Sequence, residues 1–242
     1  MPFTCNVQIV NKNLHTQGKK TDMSIIAIDG SSATGKGTLC SKLAQVFDYA
    51  YLDTGALYRG VGYELLKNGY SPEDENKAVE VAKSLSSEKM LHLQDESVIR
   101  TEEYGKAASI VSAYPRVREA LFEFQRRFAQ HPVKKDGTIA KGAVLDGRDI
   151  GTVICPDADY KIFLTARPEI RAKRRFKELQ LKGLCVIYED VLSDILARDK
   201  RDSERTTAPL KPADDAFILD TSDLTADDVY AQVACFIQER NQ

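Results

Sequence analysis

Two groups of side chains in this sequence have the types and spacing to do chemistry. The first is the run Gly30-Ser31-Ser32-Ala33-Thr34-Gly35-Lys36-Gly37-Thr38. Its bracketing glycines let the backbone turn so that successive N–H groups point inward at the oxygens of an anion. Lys36 brings a full positive charge to the outer edge of that cradle. The second group is basic: Arg198, Arg201 and Arg205 stand three and four residues apart, on one face of an expected helix. Like charges at that spacing cost roughly 0.2–0.5 kcal/mol per pair. Asp202 can offset one of them through Arg198, and a polyanionic ligand would neutralise the rest. Both groups point to phosphate chemistry. Phosphoryl transfer to a hydroxyl needs a base or a positioning carboxylate. Transfer to an acceptor that is itself a phosphate needs none, because its oxygen is already anionic. The obstacle there is repulsion between two anions, which positive charge must hold in line. Arg171, Arg174 and Arg175 with the three arginines above, together with Arg59 and Arg148 earlier in the chain, suit that second problem.

These side chains need elements to position them. Ile25 to Ile28 is a short apolar run that reads as a buried strand, and Leu39, Leu43, Val46 and Phe47 recur at helical spacing after Lys36. Strand, glycine loop and helix in that order are the context a phosphate-binding loop requires, and the helix adds its free N–H groups and positive dipole end. Gly37 departs from the usual Ser or Thr, so the hydroxyl that would reach Mg²⁺ must come from Thr38 or elsewhere, and the metal ligands stay open. Tyr51-Leu52-Asp53 is a second strand. Thr54 is the expected N-cap of a helix that buries Leu57, Val61 and Leu65 and stops at Asn68-Gly69. Tyr58 and Arg59 fall near its start.

A short helix is expected over 73–85, then weak alternation over 89–104 with a turn at Asp95-Glu96-Ser97. Pro115 starts a helix with Val117, Leu121, Phe124 and Phe128 inward and Arg116, Arg118, Arg126 and Arg127 around the rest, most of them solvated. Ala143 to Asp146 is a strand ending in a carboxylate, where ligands bind in open parallel sheets. Lys161 to Thr165 is another strand, followed by a basic helix over 168–181, a break at Gly183 and a helix over 188–204 with Val191, Leu192, Ile195 and Leu196 inward. Ala216 to Asp220 is the last strand, and Thr225 caps a final helix burying Val229, Val233, Phe236 and Ile237. Strands alternating with helices define an α/β class with a largely parallel sheet.

Composition narrows the function classes. The 242 residues carry a net charge of −2, which argues against a general nucleic-acid binder. The 5 cysteines lie far apart, without the short spacings of a zinc site, and fit reduced thiols in a cytoplasm. No apolar run approaches a membrane span. Residues 1–24 lack the apolar core of a secretory signal and are expected to form a disordered extension.

Five stretches, in order, resemble bacterial cytidylate kinase: Gly-Ser-Ser-Ala-Thr-Gly-Lys-Gly-Thr, Leu-Asp-Thr-Gly-Ala-Leu-Tyr-Arg, Pro-Arg-Val-Arg-Glu-Ala-Leu, Asp-Gly-Arg-Asp-Ile-Gly-Thr and Arg-Asp-Lys-Arg-Asp-Ser-Glu-Arg. The resemblance spans Ile25 to the end. It implies a P-loop three-layer α/β fold over 25–242, interrupted by a monophosphate-binding insertion at 71–114 and a helical lid at 172–206. It also implies transfer of the γ-phosphoryl of ATP to CMP or dCMP, with Mg²⁺ on the donor phosphates, in a monomer that uses no nucleic acid or membrane. Carried over by position, residues 30–38 hold ATP, Thr54, Arg59 and Arg148 hold the CMP phosphate, and Tyr58 also contacts CMP. Arg198 and Asp202 hold the ribose side and the phosphate, and Arg205 bridges donor and acceptor. Lys36, Arg148, Arg198 and Arg205 are the catalytic set. Arg118, Asp149 and Ser109 fall at the base. Cytosine offers a donor at N4 and acceptors at N3 and O2, so a carboxylate and an arginine fork suit it. Between Ser87 and Ser109 the chain is shorter than the bacterial pattern, by a strand pair, and the loop from His131 to Lys141 is longer.

Two rivals make different demands. A P-loop kinase of a small hydroxyl acceptor would need Asp146 as its base. A GTP-dependent switch would need an Asn-Lys-x-Asp reader, and Asp199-Lys200-Arg201-Asp202 has the wrong first residue and lies in an expected helix.

Overall fold

The protein is described here by a computed structural model, which covers residues 23–93 and 97–240. In chain order the elements are β1 (Ser24–Gly30), α1 (Lys36–Phe47), β2 (Ala50–Asp53), α2 (Thr54–Lys67), α3 (Glu75–Ser84) and α4 (Ser87–Leu93). A 3-10 turn (Ser97–Arg100), α5 (Glu102–Val111), α6 (Pro115–Gln130), β3 (Gly142–Gly147) and a π-helical turn (Ile150–Ile154) come next. The chain closes with β4 (Tyr160–Thr165), α7 (Pro168–Leu181), α8 (Tyr188–Glu204), β5 (Phe217–Asp220) and α9 (Ala226–Glu239). The expectation for residues 1–24 lies outside the described residues except at its end, where Ser24 already belongs to β1.

Among the described residues the strands form one five-stranded sheet in the order β2-β3-β1-β4-β5, and every pairing is parallel. The period-2 alternation of side chains sorts the core into two layers. Ala27, Leu52, Ala143 and Leu145 face one way, onto α2, α3, α5 and α6. Ile26, Ile28, Val144, Ile162 and Leu164 face the other way, onto α1 and α9. Burial on both faces explains why these strands read as continuous apolar runs. The packed pair α7–α8 keeps a small core of its own, built on Ala172, Leu179, Val191 and Ile195.

Several local expectations are corrected. Asp53, not Thr54, caps α2: its carboxylate accepts the Ala56 N–H at 3.1 Å, while the Thr54 hydroxyl donates to the Asp146 carbonyl on β3 at 2.7 Å. Val46 is 57% exposed, because Cys40 and Ala44 pull the buried arc of α1 to the other side of Leu43. Leu196 is also exposed, since α8 meets α7 along Val191 and Ile195. The stretch from 89 is helical rather than alternating wherever it is described, with Met90 and Ile99 buried against α2 and Val98 exposed. Asp95 and Glu96 of the expected turn fall outside the described residues.

Gly30, where β1 gives way to the loop, has φ +146°, and a Cβ there would sit 2.1 Å from the Leu164 carbonyl oxygen on β4. That contact is with backbone and cannot swing away. Gly30→Ala is therefore expected to cost on the order of 3 kcal/mol of stability, read by urea unfolding. A loss below about 1 kcal/mol would show that the strand end yields freely.

Candidate active site

The carboxyl ends of β1, β2 and β3 open into one cleft of about 630 Å³, roofed by α5, α7 and α8. Ten basic and seven acidic side chains line it, so the cleft is positive although the chain is slightly negative.

On the floor, residues 30–35 form the glycine loop. Ala33 and Gly35 take left-handed backbone conformations, and no side chain caps α1, which leaves its first N–H groups facing the cleft. Lys36 is buried and folds back, donating from Nζ to the Ser31 carbonyl at 2.6 Å. Burial, and then the neighbouring charge of Arg148, push its pKa down to about 8, partly opposed by Asp146. Asp53 and Asp146 are direct neighbours across the β2–β3 ladder. Asp53 receives Arg59 at 2.6 Å and Arg100 at 3.5 Å. Arg59 is thus held in the cleft wall.

At the inner end, Arg118 is buried rather than solvated. It pairs with Asp149 at 2.5 Å and lies 5.5 Å over the Tyr58 ring. The Ser109 hydroxyl accepts from Arg201 at 3.0 Å, joining α5 to α8. The exposed ion pair Lys106–Asp194 spans the same gap, and the half-buried pair Arg175–Glu102 ties α5 to α7.

Between these ends, Asp202 is buried and meets Arg148 at 2.9 Å, with Arg198 more distant at 3.9 Å. Burial works against its charge, but those two cations outweigh it and hold the carboxyl below its ordinary value. Its main partner is therefore Arg148, just past the end of β3, not the expected Arg198 one turn away. Arg205 lies just past the end of α8 in extended backbone, so the three arginines do not share one helical face. Its Nε donates to Ala208 at 2.7 Å. Burial and Arg148 lower the Arg198 pKa to about 10; burial and Arg118 lower that of Arg205. Both are cations short of counter-charge.

Buried side-chain nitrogens and oxygens lacking a hydrogen-bond partner among the described residues are few, and most belong to this cleft: Ser32 Oγ, Arg59 Nε, Arg198 Nε and Arg205 Nη2. Such atoms cost about 1–3 kcal/mol each when left unpaired, and all four suit an anionic ligand. Of the residues singled out from sequence, Ser32 to Thr38 (apart from Thr34), Thr54, Tyr58, Arg59, Ser109, Arg118, Arg148, Asp149, Arg198, Asp202 and Arg205 line the cleft. Thr34 lines an adjoining cavity of about 340 Å³ instead. Arg171 is taken out of the basic group: it forms a two-bond pair with Asp199 that ties α7 to α8. Asp53 and Arg100 were missed. The rule that picked out Asp146 at a strand's carboxyl end would also have found Asp53.

A glycine loop at the head of α1, beside the carboxyl ends of a parallel sheet and beneath a roof of arginines, defines a P-loop phosphotransferase. The family model for cytidylate kinase matches residues 26–239, and the chain belongs to that family. It is 51% identical over 208 residues to a cytidylate kinase of Paramagnetospirillum magneticum, covering 86% of this chain and 94% of that one. Similar relatives of the same name occur in Bradyrhizobium diazoefficiens (51% over 200 residues, 83% and 89% covered) and Rhodospirillum rubrum (47% over 218 residues, 90% and 99% covered).

Proposed function

We propose that this chain transfers the γ-phosphoryl group of ATP to CMP or dCMP, giving ADP and CDP or dCDP. The observation that carries this reading is the set of buried arginine atoms lacking a partner around a pocket whose inner end holds a buried Arg118–Asp149 pair. In the transfer, an acceptor phosphate oxygen attacks the γ-phosphorus as its bond to the bridging oxygen of ADP breaks. No proton has to leave the acceptor, so no general base is needed. Family membership speaks against the hydroxyl-acceptor rival, and with it against a base role for Asp146.

Residues 30–38 cradle the donor phosphates, and Lys36 balances charge on the group in flight. Thr54, Arg59 and Arg148 hold the acceptor phosphate, Arg198 and Asp202 its phosphate and ribose side, and Arg205 reaches both phosphates. The adjoining cavity, between Thr34, Thr38, Arg174 and Leu224, suits the donor's base. Mg²⁺ fits the Gly37 side of the loop. The Asp146 carboxylate faces that spot, Thr38 lines the cleft one residue further on, and a Cβ on Gly37 would meet nothing nearer than 3.9 Å. When bound, the ion supplies positive charge to the donor phosphates. The α7–α8 pair with its separate core serves as the lid over 172–206, and α3 to α5 as the acceptor insertion within 71–114. The scattered cysteines support a cytoplasmic location, and the chain acts as a monomer.

Asp149 and Arg118 read the base, the carboxylate toward N4 and the guanidinium toward N3 and O2, with Ser109 assisting. Uracil would turn an acceptor toward Asp149. A coupled ADP-release assay with CMP, dCMP, UMP and AMP tests the reading, and turnover on CMP and dCMP alone is the expected result. Asp149→Ala should shrink the CMP-over-UMP preference roughly tenfold or more, as losing one base-reading group is worth about 1–3 kcal/mol. An intact preference would take the base away from Asp149.

A further inference from the structure

Asp29 is a buried carboxyl to which the chemistry above gives no part. It stands on β1 one residue before Gly30, where the glycine loop begins. Its two oxygens accept the N–H groups of Ile150 and Gly151, each at 2.8 Å, across 121 and 122 residues of chain. Those amides open the π-helical turn that follows Arg148 and Asp149 directly. The first N–H groups of such a turn have no partner within it. An Asp at the preceding position ordinarily bonds them with its own side chain. Asp149 holds that position and makes no such bond. Its carboxylate goes to Arg118 instead.

We propose that Asp29 is a positioning residue for acceptor recognition: by capping the 150–154 turn from across the sheet, it leaves Asp149 free to pair with Arg118 and face the base. The inference rests on the reading that Arg118 and Asp149 contact the base. The contact also joins the two halves of the cleft, since Asp29 stands one residue before the donor loop while its side chain holds the acceptor segment. Charge bookkeeping agrees. Burial raises the Asp29 pKa to about 7, the two N–H groups pull it down, and the neighbouring Asp149 and Lys36 act in opposite directions. A carboxyl kept at that cost calls for a role that a smaller or apolar residue could not fill. Gly151 completes the fit, lying between the Asp29 carboxylate and the stem of Lys161.

The test is Asp29→Asn. One amide oxygen can still accept a single N–H, but the NH₂ group confronts the other, so the turn loses a cap and Asp149 is drawn back toward it. The expected result is a KM for CMP raised about tenfold and a CMP-over-UMP preference reduced about tenfold, with the KM for ATP within about twofold of wild type. A purely structural Asp29 would lower the melting temperature and leave both KM values and the base preference unmoved, which overturns the proposal. Gly151→Ala is the second variant. Its Cβ would meet Lys161 at 3.3 Å and the Asp29 carboxylate at 3.5 Å, nudging the same amide and giving a smaller change of the same sign. If Asp29→Asn does not fold, an unaltered KM and base preference in folded Gly151→Ala overturn the proposal instead. Wild-type protein inactive on CMP would sink the proposed function, whereas active wild type with unaltered variants would sink only this inference.

Discussion

Lys36→Met is expected to lower kcat on CMP by about 10³-fold, on the scale of losing a preorganised charge that meets the transition state. The stability of the fold should hold or rise. Both expectations come from the surroundings of Nζ. The ammonium is buried and, among the described residues, bonds to the Ser31 carbonyl and, at 3.5 Å, to the Thr34 hydroxyl. Burial and Arg148 make its charge costly in the free protein, as the lowered pKa records. Methionine keeps the length and volume of the stem while removing that charge. The cost of burying the ammonium is worth bearing only if a polyanion comes to meet it, and the charge counts most when the γ-phosphoryl is in transit between two anions. Steady-state ADP release at saturating ATP and CMP, beside a thermal melt, checks the pair of expectations. A kcat within tenfold of wild type would mean that Lys36 secures the loop rather than the transferring group.

Arg148→Gln is expected to damage two properties at once, raising the KM for CMP by about 10²-fold and lowering stability by about 3 kcal/mol. The second effect arises because Arg148 is the close partner of Asp202, at 2.9 Å. Without it, a buried carboxylate is left facing Arg198 at 3.9 Å, and removing one member of a buried pair costs more than the pair contributes. The first effect arises because the same guanidinium lies over the carboxyl end of β3, where the acceptor phosphate is proposed to sit. A second substitution separates them. Arg148→Gln combined with Asp202→Asn removes both charges and should recover most of the lost stability while leaving the KM for CMP as high as before. Urea unfolding and CMP titrations on the two variants decide it. Recovery of the KM together with stability would reduce Arg148 to a partner of Asp202 with no hold on the substrate.

The fold was readable from local pattern because its determinants are local. Period-2 burial, helical spacing and glycines at sharp turns are properties of a few neighbouring residues. They placed α6, α7 and α8 with the observed ends, from Pro115, Pro168 and Tyr188 onward. Where the pattern was thin, neighbours in space overrode it. Around Met90 and Ile99 the chain is helical, since packing against α2 selects the buried side chains. At Thr54 the hydroxyl had a better partner on β3, and Asp53 took the cap.

By itself the sequence determined which chemistry the chain could host: a strand–glycine-loop–helix unit for phosphates, an excess of arginines, and the residue types that suit cytosine. The tertiary structure alone decided how these charges are shared. Arg148 meets Asp202 across 54 residues, Arg118 meets Asp149 across 31, and Asp29 caps a turn 121 residues away. None of these pairings follows from spacing along the chain. They arise because the strand order β2-β3-β1-β4-β5 sets the carboxyl ends of β1 and β3 side by side at the cleft, where Arg118 of α6 and Asp202 of α8 also lie. In that low-dielectric cleft each charge takes the partner that geometry puts in reach, and the arginines with atoms left unpaired are the ones a phosphate would satisfy.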